Sequence, residues 1–553
     1  MPQRMLRCPL GWAWRLGAAL CFPLAAAQGQ SVSGVGDDAI PIPRGGFRIQ
    51  VGGLWNDYRE VYSPGAGKQA LLRGLATENL GVNLMPQLSD AQAGIRALTG
   101  NSSFALSLGP LESAGEVRQS IAPFALDYGV SRRLSLRAVV PYVESRDVSQ
   151  LILNRNGTAA NVGRNPALGT AGQQARAANA ALLGQIDAAR TALTAEISRC
   201  ANVSATGCDA IRANPAGAQT LVTRASQTRS SLATVYGDGD AAGAPVVPIS
   251  GSSLHAAVVS TVGALRTDFG AYGITSIAAA AQPQPAVTIF GPGSIGSITS
   301  DTFNVGYARL GDTRRAGIGD IDLTATYLLF DSFNADQVKR VLSPARGLRS
   351  NLTVGWRFGT AGADRAEDAF DVPIGEGANA LLVRSTTDVL FNRWAWMSAT
   401  VRAVKPFGDR IAVVVPFRDE TSLLSSPVDI VSAARTLGTR LEFEVAPRMA
   451  IGQFFGLSAS YLVRHWGADV FDTERAESSA SLTEPFTTPS RTFSAAAVGV
   501  TFSTLNSYVR GRSRFPAEVV YTHTTPLGAS GGFVPVVSSD RLELRIYTGF
   551  PRR

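Results

Sequence analysis

The chain has 553 residues, with 51 Lys and Arg against 43 Asp and Glu, and its formal charge of +8 is spread along its length. That mild, dispersed balance excludes the concentrated basic face of a nucleic-acid binder, so no nucleic-acid partner is expected. Beyond the N-terminal leader no run of about eighteen apolar residues remains, which excludes helical membrane spans, and the length exceeds one ordinary soluble domain.

Residues 1–27 read as a cleavable export signal. Arg4 and Arg7 give a positive start, Leu16 to Leu24 an apolar core, and Ala25, Ala26 and Ala27 a small-residue cleavage site. Lipidation at Cys21 is the minor alternative, because Leu20 stands where such sites want a small residue. Residues 28–45, with Gly, Ser, Asp and Pro, read as a flexible periplasmic lead-in.

The next stretches alternate in polarity. Phe47, Ile49 and Val51 interleave with Arg48 and Gln50; Ala122, Phe124, Leu126 and Tyr128 share one face; and after a turn at 129–132, Leu134, Leu136, Ala138, Val140 and Tyr142 form the next row. A period of two means an extended strand with one apolar and one polar side. The long connection 63–103 carries a short helical pattern near Lys68 to Ala76.

Residues 147–316 break the alternation and read as a helical subdomain on the extracellular side, between barrel strands 1–3 in 46–146 and strands 4–12 in 317–553. Leu182, Ile186, Ala189, Leu193 and Ile197 give one apolar helical stripe within 173–199. Further helical patterns run over 216–236 and 252–269. Cys200 and Cys208 are an even pair in an exported, oxidising context, which favours a disulfide. Two thiols without a nearby His make at most half a zinc site, so no metal and no cofactor is expected.

From Gly317 the alternation resumes. Ile321, Leu323, Ala325, Tyr327 and Leu329 fall on one face, and Asp320, Asp322, Thr324 and Thr326 on the other. The same pattern places strands near 47–55, 104–128, 133–146, 317–330, 348–359, 380–391, 394–407, 436–446, 450–465, 491–504, 514–525 and 539–550. Connections at 129–132, 392–393 and 447–449 are short, whereas those on the other side are mostly long. The fold class read from this is all-β: an antiparallel transmembrane barrel of about twelve strands with a helical extracellular insertion, exported to the bacterial outer membrane.

Three places carry a resemblance. Leu126 to Tyr142 holds a tyrosine–glycine turn followed by a strand ending in Pro-Tyr, 317–320 reads Gly-Ile-Gly-Asp, and 391–396 reads Phe-Asn-Arg-Trp-Ala-Trp. In these the chain resembles the outer-membrane barrels associated with the meta-pathway of phenol degradation. The resemblance implies a passive channel or transporter-like barrel, for hydrophobic or aromatic compounds among others. The insertion 147–316 and the Pro-Arg-Arg after Phe550 depart from that pattern.

A charged side chain facing lipid at mid-depth costs about 2–4 kcal/mol for Arg or Lys, so the charged rows should face the lumen. They include Arg137, Asp320, Asp322, Arg349, Arg357, Arg384, Asp388, Arg402, Glu442, Glu444, Arg464, Arg541, Glu543 and Arg545. Their functional reading is a solute-selecting lining; the plainer one is a set of salt bridges that holds the barrel's shape. Trp356, Trp394, Trp396, Tyr142, Tyr327 and Trp466 fit interfacial aromatic girdles. Partners expected are outer-membrane lipid and a small-molecule solute.

An enzyme is not expected. With three histidines in the chain, the best hydrolase candidate is His465 with Asp469 and Asp472. The acidic run Asp364, Glu367, Asp368, Asp371 and Glu376 reads as a solvated loop before it reads as a Ca²⁺ site. The remaining alternative is an adhesion or interaction protein acting through the insertion, with the barrel as its anchor.

Overall fold

A computed structural model describes residues 39–40, 42–169, 172–239, 241, 243–294, 312–332, 346–362, 372–414, 430–473 and 486–549. The export signal and the residues Asp364, Glu367, Asp368 and Asp371 lie outside the described residues.

Twelve antiparallel strands form the wall. They are β1 Phe47–Tyr58, β2 Leu111–Gly129, β3 Leu134–Leu153, and β4 in two parts, Thr313–Ile318 and Ile321–Asp331. Then come β5 Gly347–Phe358, β6 Ala380–Leu390, β7 Ala395–Pro406 and β8 Arg440–Ile451. The last four are β9 Phe455–Trp466, β10 Arg491–Ser503, β11 Ala517–Ser530 and β12 Ser538–Thr548. Each strand pairs with its sequence neighbours, and β1 closes the ring by pairing with both β12 and β2. Closure leaves no edge, so every ladder group in the wall finds a partner without water. Phe47 faces both Tyr128 and Thr548, so the chain enters and leaves the barrel at the end that carries the 130–133 turn.

The faces follow the period-two pattern. On β4 Asp322 is buried, while Leu323, Tyr327 and Leu329 are about half exposed on the outer wall. The same outward exposure recurs at Phe124, Val354, Val401, Phe443, Val498 and Leu542 around the ring. The register slips at Ser350/Asn351, which lets both Leu329 and Phe330 lie outside, and again at Ser494/Ala495.

Two local readings differ from expectation, at the β8–β9 turn and near Lys68 to Ala76. The β8–β9 turn falls at 452–454 rather than 447–449, because the strand runs on through Pro447 to Ile451 and Gly452 is the residue that adopts a positive φ of 67°. The 505–513 connection holds a short helix, Leu505–Val509. No helix forms near Lys68 to Ala76, which holds a short strand and one 3-10 turn. The helix of this connection is instead α1 Ser89–Thr99, whose Ala91, Ile95 and Leu98 are buried on one face.

At the end opposite the 130–133 turn, α1 joins α2 Gln173–Cys200, α3 Pro215–Tyr236 and α4 Ser253–Gly270 around one core. Ile95, Ile186, Leu193, Leu221, Leu232 and Phe269 are buried in it, each contributing about 1.5–3 kcal/mol of apolar burial. The core reaches Leu111 and Leu153, so the helices are rooted on the far ends of β2 and β3. A Cys200–Cys208 disulfide, with Cα atoms 5.5 Å apart, fastens the end of α2 to the turn that follows.

Candidate functional site in the barrel interior

The inward rows bring the charged residues into pairs, most of them across neighbouring strands and one set, at Glu543, within β12. Arg349 Nε donates to Asp388 at 3.1 Å across β5 and β6. Arg357 grips Asp322 with two nitrogens, at 2.7 and 2.9 Å, across β5 and β4. Arg402 holds Glu442 and, at 2.8 Å, Glu444, while Arg464 Nε donates to Glu442 at 2.6 Å. Arg541 and Arg545 both hold Glu543. Arg137 Nη2 donates to Gln50 at 3.2 Å and Nη1 lies 3.5 Å from Asp127, which Arg48 also binds. Arg384 Nη2 is 3.4 Å from Thr353 Oγ1. Buried charges of this kind persist because removing one partner strands the other, at about 3–5 kcal/mol.

These side chains surround two spaces. The upper one, nearer the helices, is walled by Arg137, Arg357, Arg384, Arg402, Arg440 and Arg464, with Asp322 and Glu442. The lower one, nearer the 130–133 turn, is lined by Ile40, Ile42, Arg48, Asp127, Asn351 and Arg545 among others. Arg137 and Arg384 line both.

Two chain segments enter the interior. Below, Ala39 is fully buried, its N–H donates to Asp388 Oδ2 at 2.9 Å, and Ile40 and Ile42 line the lower space. The end of the lead-in thus lies within the barrel. Above, the β5–β6 connection folds inward over residues 372–379. The N–H of Val372 donates to buried Asp147 at 2.8 Å, and those of Ala361 and Glu376 donate to Asp320 at 3.1 and 2.8 Å. Asp320 therefore sits at the break in β4 as a backbone acceptor for this loop. The two glycines before it are what let the loop approach: a Cβ on Gly317 would lie 2.9 Å from Ile374, and one on Gly319 3.2 Å from the Ile374 carbonyl.

Glu376 ends up buried at the top of the upper space. Arg440 Nη2 donates to it at 2.6 Å, and Arg357 Nη1 lies 3.7 Å away. Burial alone would raise its pKa, but the Arg440 and Arg357 charges, with Arg435, hold it below the usual carboxylate value. Sequence reasoning placed Glu376 in a solvated acidic loop and left Arg440 out of the interior set. The alternation of 440–445 does put Arg440 on the polar row with Glu442 and Glu444; Glu376 has no local signal, since its partners lie on other strands.

Other expectations are redistributed. Trp466 is buried inside rather than in a girdle, with the guanidinium carbons of Arg464 and Arg491 at 5.6 and 5.4 Å from its ring. Trp396 lies half-buried on the inward phase of β7, whereas Trp356, Trp394, Tyr142 and Tyr327 are exposed outside. His465 is not brought to Asp469: its Nδ1 lies 2.9 Å from Thr492 Oγ1, and Asp469 accepts from Gly438 N–H and Thr488 Oγ1. His523 sits on the outer wall, its Nδ1 2.9 Å from Asp540, which also accepts from the Tyr521 hydroxyl at 2.6 Å.

An apolar exterior around a charged interior inverts the arrangement of a soluble protein, and with a closed antiparallel ring it defines a transmembrane β-barrel. No family model and no curated protein matches the sequence. Among solved structures the chain is similar to an outer-membrane channel from Pseudomonas putida F1, at 9% identity over 93% of this chain and 100% of that one, with a TM-score of 0.39. It is also similar to the Pseudomonas putida toluene transporter TodX, at 11% identity over 91% and 90% of the two chains and a TM-score of 0.25. A Pseudomonas aeruginosa FadL homologue follows at 9% identity, 92% and 90% coverage and a TM-score of 0.23.

Proposed function

We propose that this chain is a channel of the bacterial outer membrane through which small solutes, aromatic and other apolar-bodied ones among them, pass passively. The observation that carries this reading is the pair of spaces, both lined by Arg137 and Arg384, inside a wall with an apolar exterior. Crossing by strands and the export signal expected at 1–27 support the outer-membrane location. In planar bilayers the purified chain should give discrete conductance steps, and liposomes containing it should swell in small solutes. A silent bilayer together with unchanged liposomes would remove the reading.

The helical subdomain supports a second role. Its core is packed among α1 to α4 and rooted on the ends of β2 and β3, and this suits an exposed module that engages a partner or governs entry. Deleting 160–290 separates these: altered conductance and solute preference indicate entry control, and unchanged values indicate an interaction module.

A further inference from the structure

The two ends of the barrel differ in charge. At the helical end arginines are matched by carboxylates: Arg59 and Arg118 hold Glu116, Arg155 holds Glu112 and Arg314 holds Glu144. At the other end the described residues outside the strands are 39–40, 42–46, 130–133, 332, 346, 391–394, 452–454, 504–516 and 549, and they include no Asp or Glu. Asp331, which ends β4, is only partly exposed. Arg44, Arg133, Arg346, Arg393, Arg510 and Arg512 are exposed at this end, and none of them makes an ion pair with a described residue. Like charges gathered on one rim raise the local potential and attract anions.

The 504–516 turn concentrates that charge. Its short helix buries Leu505 and Val509 beside Tyr547, Thr504 Oγ1 donates to the Phe515 carbonyl at 2.6 Å, and the Arg512 N–H donates to the Ser507 carbonyl at 2.8 Å. Gly511 takes a positive φ of 71° between the first two arginines. So braced, the turn leaves Arg510, Arg512 and Arg514 exposed within five residues, and Phe515, 56% exposed, follows directly. On the neighbouring strands Phe454 and Phe455 pack against Phe502, with ring centroids at 6.0 and 5.5 Å, and all three are exposed on the outer wall. The 391–394 turn repeats the combination, with the Arg393 guanidinium carbon 4.8 Å from the exposed Trp394 ring. These rings continue the apolar exterior, so the arginines beside them stand where acyl chains give way to headgroups.

We infer that this rim binds anionic phospholipid, with the headgroup phosphate on Arg510, Arg512 and Arg514 and the acyl chains against Phe515 and the adjoining phenylalanines. A lipid uses both halves of the surface, charge and ring, whereas an acidic soluble partner would leave the rings in water. Arginine suits the phosphate because its planar fork donates two hydrogen bonds to it. In the orientation read from the sequence, this end faces the periplasm.

Native mass spectrometry of the full chain in detergent, offered phosphatidylglycerol and phosphatidylcholine with identical acyl chains, reads the preference. Phosphatidylglycerol should be retained at least about tenfold over phosphatidylcholine at low salt. The advantage should shrink as NaCl rises to about 0.5 M. Arg510→Gln/Arg512→Gln/Arg514→Gln should cut it at least about threefold, and the corresponding Lys variant should keep most of it. Arg59→Gln/Arg155→Gln/Arg314→Gln, at the helical end, should leave it unchanged; heat-modifiable migration checks that each variant folds. Equal retention of the two lipids, or an advantage that survives the Gln variant at 510–514 or disappears in the helical-end variant, overturns the site. So does sn-glycerol 3-phosphate or polyglutamate binding as tightly as phosphatidylglycerol, which would make the occupant a free phosphate or an acidic protein. The inference rests on the membrane barrel and not on conductance: lipid preference with a silent bilayer upholds it and removes the channel, and conductance without lipid preference does the reverse.

Discussion

Glu376 reaches across 64 residues of sequence to accept a hydrogen bond from Arg440 at 2.6 Å, and this contact fastens the inward-folded 372–379 loop to the barrel wall. Replacing Glu376 with Ala leaves Arg440 and Arg357 buried beside a void, at a cost of about 3–5 kcal/mol. The variant should show larger or noisier conductance and a lower temperature for the shift in gel migration. Unchanged values in both measurements would mean that the loop is held elsewhere.

The same contact makes a prediction about pH. Glu376 titrates below its ordinary value of 4.5 in the folded chain. A depressed carboxylate contributes stability that is fully present above the unfolded value and lost as pH falls through the folded one. Conductance should therefore hold steady from neutral pH down to about pH 5 and change only in more acidic solution. A transition at pH 6 to 7 would point to a different group.

Asp388 gathers the Ala39 N–H at 2.9 Å, Arg349 Nε at 3.1 Å and the Ser398 hydroxyl at 2.7 Å. Asp388→Ala should release the segment ahead of Phe47 from the lower space. Protease added to the purified chain should then cut before Phe47 at least about tenfold faster, a shift of about 1.4 kcal/mol in local opening. Equal cutting rates in variant and parent would show that Ile40 and Ile42 anchor the segment without Asp388.

Along β4 the faces can be read by labelling. Cysteines at Thr324 and Thr326 should react with a water-soluble thiol reagent through the interior, and cysteines at Leu323 and Tyr327 should be protected in bilayers. The opposite pattern would require a one-residue slip of the strand, which exchanges the two faces.

Two helical glycines should respond in opposite ways. A Cβ on Gly94 of α1 would lie 2.6 Å from Val235 of α3, so Gly94→Leu should destabilise the helical subdomain by about 1–3 kcal/mol. A Cβ on Gly184 of α2 meets nothing within 4 Å, so Gly184→Ala should stabilise it by about 0.5–1 kcal/mol. Thermal melts followed by helical circular dichroism check both, and effects of the same sign would break the α1–α3 packing argument.

What the sequence determined by itself was the wall. Alternation such as Ile321, Asp322, Leu323, Thr324 is local, and a bilayer outside with charge inside enforces it on every strand, so strand number, facing and ring closure were legible. The helices α2, α3 and α4 were legible for the same reason, since each carries its own stripe. The tertiary structure alone decided what fills the ring. Glu376 over Arg440, Ala39 on Asp388, Arg491 over Trp466 and α1 against α3 are contacts between segments far apart in sequence. They depend on which inward side chains the ring's closure brings face to face, and no short window of residues contains both halves of such a pair.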